Sequence, residues 1–379
     1  MKISFVTDTY SPQLNGVATT LTCLVGGLRS LGHQVDVIIP SALSAPEETI
    51  RIPSVAFPRY PEVRIGLPAG GKLRSKWTDD RPDVVYVAIE TPLGASAVSA
   101  ARSLEIPVAA GFHTNFQHYL VHYQLKFLER ATMPYLRWIH NRANLTFVPT
   151  LEMMVELEKK GIRNLVHLPR GVDTTLFSPS KRDHNLRSQW GADDSNQVGI
   201  YVGRMAPEKN LPLVVKTFRE IRNRNPLFIG VFVGEGPKLE ELKIRYPEFI
   251  YTGEQRGEEL AKSFASADIF IFPSLTETFG NVTLEAMSSG LAVLAFDHAG
   301  ARQYIEDGRN GYKAPFADES AFIAKAFELL ADSQRELVRQ AARDTALELR
   351  WDTVVEDFQN HLTTMMSNKA CVFRKDSCS

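Results

Sequence analysis

Short runs rich in Val, Ile and Phe alternate along this chain with longer stretches whose apolar residues recur every third or fourth position. Runs of about four to eight such residues, bounded by turn formers, predict strands buried on both faces; the 3.6-residue rhythm predicts helices with one apolar side. KISFVTD opens the chain as a strand, and SPQLNGVATTLTCLVGGLRSLG follows as a loop and then a helix stopping at Gly32. HQVDVIIP, DVVYVAI (83–89), PVAAGFH (107–113) and LTFVPT (145–150) continue the strand series. Gly and Pro then gather near 169–180, and the polar run KRDHNLRSQWGADDSNQ predicts a linker. After it the alternation restarts, with VGIYVGR (198–204) as a strand, LPLVVKTFREIRNRN as a helix, and strands in LFIGVFVGEG, ADIFIFPS and LAVLAFD. Two such α/β arrays predict two Rossmann-like, doubly wound domains, residues 1–180 and 190–348, facing one another across a cleft.

A chain of 379 residues is longer than one core usually serves, which agrees with two domains. Its 44% hydrophobic and 23% charged residues are those of a soluble globular protein. The formal net charge of −1 removes the electrostatic case for a nucleic-acid partner. The charge is uneven: 18 Lys+Arg against 15 Asp+Glu leave +3 on residues 1–180 and −4 on the remainder, so an anionic partner has room on the first half. Cys23, Cys371 and Cys378 show neither metal-ligand spacing nor a disulfide framework, as expected in a reducing compartment. The last two sit in NKACVFRKDSCS, a polar tail expected to fray. MKISFVTD lacks the apolar stretch of a leader, and no run approaches the roughly 18 apolar residues of a membrane span. The expectation is a cytoplasmic chain whose membrane contact, if any, is peripheral.

Ligands of doubly wound sheets sit at the carboxyl ends of strands, so the segments after the strands carry the candidate chemistry. In GRMAPEKN, Arg204 offers a planar fork and Lys209 a mobile point charge, a pair suited to a diphosphate; the plainer reading is two solvated cations in a loop. In FPSLTETFGNVTLEAMSSG the strand should end near Pro273, and a helix should run from Asn281 to a cap at Gly290. The N–H groups of Phe279, Gly280, Asn281 and Val282 would then face an anion at the helix start. Glu277 in the loop and Glu285 a turn inside the helix could each accept two hydrogen bonds from a sugar diol. As a mere acidic cap they would contribute only about 0.3–1 kcal/mol.

Taken together, GRMAPEK followed by PSLTETFGNVTLEAMSSG resembles the large retaining glycosyltransferase family (family 4, also termed group 1) that includes glycogen synthase and many bacterial mannosyltransferases. The resemblance implies the GT-B fold, with a nucleotide-sugar donor held in the C-terminal domain. It implies that Arg204 and Lys209 hold the donor diphosphate, Glu285 the ribose hydroxyls, and Glu277 the hydroxyls of the hexose. The backbone of Phe279, Gly280 and Asn281 would close on sugar and phosphate. PQLNGVAT resembles the family's glycine loop, where Gly16 lets backbone N–H groups approach the phosphate, with Asp8 and Asn15 near the same mouth. GFHTN resembles the segment whose histidine, here His113, meets the sugar's primary hydroxyl near the reacting carbon; His118 and His122 have no such match. In RGVDTTLF many members carry Asn where Arg170 stands. Backbone groups around Gln255 and Arg256 in TGEQRGEEL would meet the nucleobase. A helix around Trp351, about residues 350–366, would return to the first domain and leave 367–379 as a polar tail.

No two aspartates lie two positions apart, so the metal-binding Asp-x-Asp of the other major glycosyltransferase fold is missing. The expected site therefore needs no metal and no cofactor: Arg204, Lys209 and the helix start would neutralise the leaving nucleoside diphosphate. The resemblance implies anomeric retention, and front-face attack is favoured, the departing phosphate helping to deprotonate the acceptor. TDTYSPQLNGVATTL and FHTNF look closest to GDP-mannose-dependent α-mannosyltransferases and to sulfoquinovosyl- or glucosyl-diacylglycerol synthases. The leading expectation is transfer of mannose from GDP-mannose to a lipid hydroxyl at the inner membrane face. Two basic, aromatic stretches suit an anionic lipid surface: 58–77, with Tyr60 and Trp77, and 116–144, with Lys126, Arg130, Arg137 and Arg142. Each could equally be the solvated side of a packed helix. A UDP-sugar-dependent transferase to diacylglycerol or to a soluble glycan, a nucleotide-sugar epimerase and a silent binding subunit remain as alternatives. A dinucleotide oxidoreductase is excluded, because VGEGPKLEEL places Pro237 where the motif would continue and supplies no third glycine.

Overall fold

The computed structural model describes residues 1–13, 15–43, 49–57, 60–113, 129–193, 195–331 and 335–376, with backbone alone at 57, 60–63, 129–131 and 368–376. The chain divides into two compact units, Met1–Arg170 with Trp351–Ser379, and Gly171–Arg350.

Unit 1 is built on β1 (Lys2–Val6), β2 (Gln34–Pro40), β3 (Thr49–Ile52), β4 (Ser54–Phe57), β5 (Tyr60–Gly66), β6 (Val84–Val87), β7 (Val108–Gly111), β8 (Leu145–Val148) and β9 (Leu165–His167). Seven of these form a sheet in the order β3-β2-β1-β6-β7-β8-β9, every pairing parallel, while β4 and β5 form a separate antiparallel hairpin. Period-two alternation sends Ile3 and Phe5 to one face and Val6 to the other. On the first face Leu21, Leu24 and Val25 of the helix Gly16–Ser30 pack beside Val354, Val355, Phe358 and Leu362 of the helix Trp351–Asp376. The Phe358 ring lies 5.1 Å from Tyr86 and 4.8 Å from Phe147, so residues from the far end of the chain complete this core. The opposite face is covered by Leu93, Val98 and Ile139, and by Trp77, whose indole N–H donates to Ser4 Oγ at 3.2 Å.

Trp77 corrects one expectation. It is a core residue of the helix Gly70–Asp79, buried with Leu73 one turn before it, and is not part of a lipid-facing surface. Lys76 on the same helix pairs with Asp36 and Asp80. Of the other residues in the two basic stretches, His118, His122 and Lys126 lie outside the described residues, as do the side chains of Tyr60 and Arg130.

Unit 2 carries β10 (Val198–Val202), β11 (Ile229–Val233), β12 (Ile250–Gly253), β13 (Ile269–Phe272), β14 (Ala292–Phe296) and β15 (Tyr312–Ala314) in the parallel order β12-β11-β10-β13-β14-β15. Counted within the unit this is 3-2-1-4-5-6, the doubly wound order whose ligand crevice opens between its first and fourth strands.

The domain boundaries differ from those expected. The segment 171–180 belongs to unit 2, because Val172 and Phe177 bury in that unit's core and Arg343 donates to the carbonyls of Thr174 and Phe177. The polar run after Lys181 is no linker. Asp183 caps the short helix His184–Gln189, and Arg187, 2% exposed, donates to the carbonyls of Ser266, Asp193 and Asn196 and to Asp268. A buried cation with that many acceptors organises the segment from inside. At the other end, the helix from Trp351 continues through residues 367–376, which were expected to form a polar tail.

Candidate functional site

In unit 2 the loops after β10 and β13 flank the switch point, and backbone hydrogen bonds fix them to one another. Leu275 N–H donates to Glu208 O at 3.1 Å, Met205 N–H to Glu235 O at 2.7 Å, and Gly300 N–H to Phe279 O at 2.9 Å. The β10 loop can meet the β11 loop this closely because Gly234, at φ 136°, has no side chain: a Cβ there would stand 2.0 Å from Gly203 O. The Gly234 and Gly236 pair, read in the sequence only as a failed dinucleotide motif, is thus a packing device for the loop that bears Arg204.

Within this frame Lys209 Nζ forms an ion pair with Glu277 Oε1, both side chains mostly buried, and lies 5.7 Å from the centroid of Phe272. Arg204 reaches Glu208 at 3.7 Å and keeps much of its guanidinium exposed. Tyr201 donates its hydroxyl to Arg204 O at 3.0 Å, which holds the turn after β10 in shape. The helix after β13 runs Asn281–Ser288 as predicted, with Gly280 in the left-handed conformation at its start (φ 88°) and no side-chain cap. Its first N–H groups, including those of Asn281 and Val282, are therefore open to an anion. Glu285 is half-buried one turn inside, and its carboxyl has no hydrogen-bond partner among the described residues. Burial alone pushes this carboxyl up to about 7. Hydroxyl donors arriving with a ligand would satisfy it. Gln255 accepts from Ser263 at 2.6 Å and Arg256 pairs with Glu254, so both side chains have partners within the unit.

In unit 1 the corresponding switch point lies between β1 and β6. Asp8, just past β1, accepts from Gly66 N–H at 3.0 Å, and its second oxygen is buried without a partner. Burial, opposed by the Thr91 side chain and by that N–H and aided by the charge of Glu90, lifts its carboxyl to about 6. Glu90, past β6, faces His140 at 3.4 Å, and burial raises its carboxyl as well. Asn15 caps its own helix by accepting from Ala18 N–H at 2.8 Å, leaving Gly16 exposed at the first helical position. His113, past β7, is only 5% exposed. One ring nitrogen lies 2.7 Å from Tyr86 Oη and the other 2.9 Å from Arg170 Nη2. Tyr86 and Arg170 drew no functional reading from the sequence, where they stand 27 and 57 residues from His113. Among the described residues no three His, Cys, Asp or Glu side chains gather as a metal-ligand group.

Two Rossmann-like units with a cation pair and two glutamates at the second switch point define a transferase of the GT-B class. Comparison with known proteins agrees. Residues 14–176 match the model described as Glycosyltransferase Family 4, and residues 196–332 the model described as Glycosyl transferases group 1. A GDP-mannose-dependent alpha-mannosyltransferase of Mycolicibacterium smegmatis is 32% identical, over 98% of this chain and 99% of its own. An alpha-monoglucosyldiacylglycerol synthase of Streptococcus pneumoniae is 28% identical, over 81% of this chain and 74% of its own. Among solved structures, a sucrose-phosphate synthase from Thermosynechococcus elongatus superposes with a TM-score of 0.78 at 16% identity, covering 97% of this chain and 99% of its own. The chain belongs to the group 1, family 4 glycosyltransferases, and it is an enzyme that takes its sugar from a nucleotide-sugar donor.

Proposed function

We propose that this enzyme transfers mannose from GDP-mannose, with retention and without a metal, to a hydroxyl of a membrane lipid. The observation that carries the reading is the grouping of Arg204, Lys209, Glu277 and Glu285 on two sewn loops and one uncapped helix start. That set supplies positive charge for a departing diphosphate and two carboxylates for hydroxyls. Arg204 and Lys209 would hold the diphosphate, Glu277 the hexose and Glu285 the ribose, with the backbone near Phe279, Gly280 and Gln255 around sugar and base. The full-length relative that names GDP-mannose favours that donor, and the relative that names diacylglycerol favours a lipid acceptor.

A peripheral membrane contact has support in the helix Glu129–His140. Tyr135 and Trp138 are partly exposed and stacked at 6.4 Å, and Arg142 lies 4.6 Å over the Trp138 ring. Among the described residues no helix is long and apolar enough to cross a membrane. The deciding experiment incubates the protein with GDP-mannose, UDP-glucose or ADP-glucose and a membrane lipid extract, with and without EDTA, and reads product mass and anomer. An α-mannosyl lipid formed equally with EDTA is expected. A product formed only from a UDP-sugar, or only with added metal, would overturn the donor or the metal-free assignment.

A further inference from the structure

The environment of His113 determines its proton. A guanidinium has only N–H donors, so the 2.9 Å contact from Arg170 Nη2 requires Nδ1 to be the acceptor. A neutral ring with a bare Nδ1 carries its proton on Nε2, and that N–H points at Tyr86 Oη, 2.7 Å away. Adding a second proton would set a ring N–H against a guanidinium N–H and place two cations side by side in a buried site.

Among the described residues, the other charged or titratable groups around this centre do not favour the imidazolium. Tyr86 on β6 is buried and burial raises its hydroxyl, so it stays neutral. His140, on the helix Glu129–His140, adds positive potential when charged and faces Glu90. His167 on β9 is held below its ordinary value by burial and by the Arg170 charge. Arg170 is itself only 5% exposed and is the last residue of unit 1 before the chain leaves for unit 2.

The geometry points to Arg170 as a positioning residue that locks His113 into the neutral Nε2–H form, so that His113 takes no proton from the acceptor. The functional half of this inference rests on the transferase reading; the tautomer does not. With the ring committed on both nitrogens, the acceptor's proton leaves with the donor's own diphosphate oxygen. The new glycosidic bond forms from the acceptor oxygen as the bond to the leaving phosphate oxygen breaks.

Two measurements test it. Long-range 1H–15N correlation on histidine-labelled wild-type protein, with His113 assigned by His113→Gln, should show the Nε2–H tautomer unchanged from pH 5.5 to 8. A proton on Nδ1, or a titration inside that range, would overturn the inference whether or not the protein transfers mannose. The second is kcat at saturating donor against pH. Arg170→Met should lower kcat on the order of 10- to 100-fold and bring out an acid limb between pH 5.5 and 7, with donor KM little changed. Arg170→Lys, which keeps a cationic donor, should restore most of the rate and remove the limb. An unchanged profile in Arg170→Met, with fold intact by circular dichroism, would reduce Arg170 to a packing role.

Discussion

Lys209 and Glu277, 68 residues apart in sequence, are joined by an ion pair that ties the loop after β10 to the loop after β13. Either charge alone would be mostly buried and uncompensated; paired, they preorganise the rim where a diphosphate would sit. Lys209→Met should therefore reduce kcat about 10²- to 10³-fold, as expected when one preorganised charge stabiliser is lost. Its melting temperature should fall by only a few degrees, roughly 2–4 °C for each kcal/mol in a unit of this size. Calorimetry beside a steady-state assay separates the two effects, and retained activity would remove Lys209 from the donor site.

On the proposed reading, Glu285 should make donor binding depend on pH. The group is ionised above about 4.5 in the unfolded chain but only above about 7 in the fold. Stability therefore declines as pH rises from about 4.5 to about 7 and levels off beyond. Glu285→Gln should melt higher than wild type at pH 8, by a few degrees, and lose that advantage in acid. Donor hydroxyls need the ionised form as acceptor, so wild-type donor affinity should strengthen through pH 7. In Glu285→Gln it should be about 10-fold to 100-fold weaker and flat with pH. Titration calorimetry at pH 6 and 8 checks both.

Gly234→Ala would drive a Cβ to 2.0 Å from the Gly203 carbonyl at a backbone φ of 136°. A cost of at least about 2 kcal/mol is expected, together with a displaced Arg204 loop and weakened donor binding. Gly26→Ala is the contrast: it sits on the exposed side of a helix with nothing within 4 Å of the added carbon. It should stabilise by about 0.5–1 kcal/mol, measurable by urea unfolding.

Phe358→Ala should cost about 3–5 kcal/mol in unit 1, because its ring is fully buried against Tyr86 and Phe147. The transition of unit 2, whose core does not include this residue, should stay where it is. Scanning calorimetry tests this, and a matching shift of both transitions would contradict it.

The central strands could be read from the sequence because burial on both faces leaves unbroken Val, Ile and Phe runs, as in VVYV and IFIF. Edge strands such as LVH and IYTG are only partly buried, so their mixed composition carries no such signature. Arg187 hid a folded segment inside a polar run, since composition cannot show that its guanidinium is satisfied by carbonyls. Trp77 was misplaced although Leu73, one turn earlier, already marked the buried side of its helix. Arg204, Lys209 and Glu277 stood out as candidates because each lies in the loop after a strand, and Glu285 because it lies in the helix that such a loop leads into. The Tyr86–His113–Arg170 arrangement did not stand out, because its members come together only through the successive pairings of β6, β7, β8 and β9.

Val172 and Arg350 form a parallel bridge, with Val172 N–H donating to Leu349 O at 2.8 Å, so unit 2 begins and ends at one point. It is one unbroken stretch inserted into a unit whose own pieces lie at both ends of the chain. On a ribosome, unit 2 can finish its core while unit 1 still waits for Val354, Phe358 and Leu362 to be synthesised. The part of the first sheet's apolar face that Val354, Phe358 and Leu362 cover therefore stays open while unit 2 is being made, and that interval is when a chaperone would matter most.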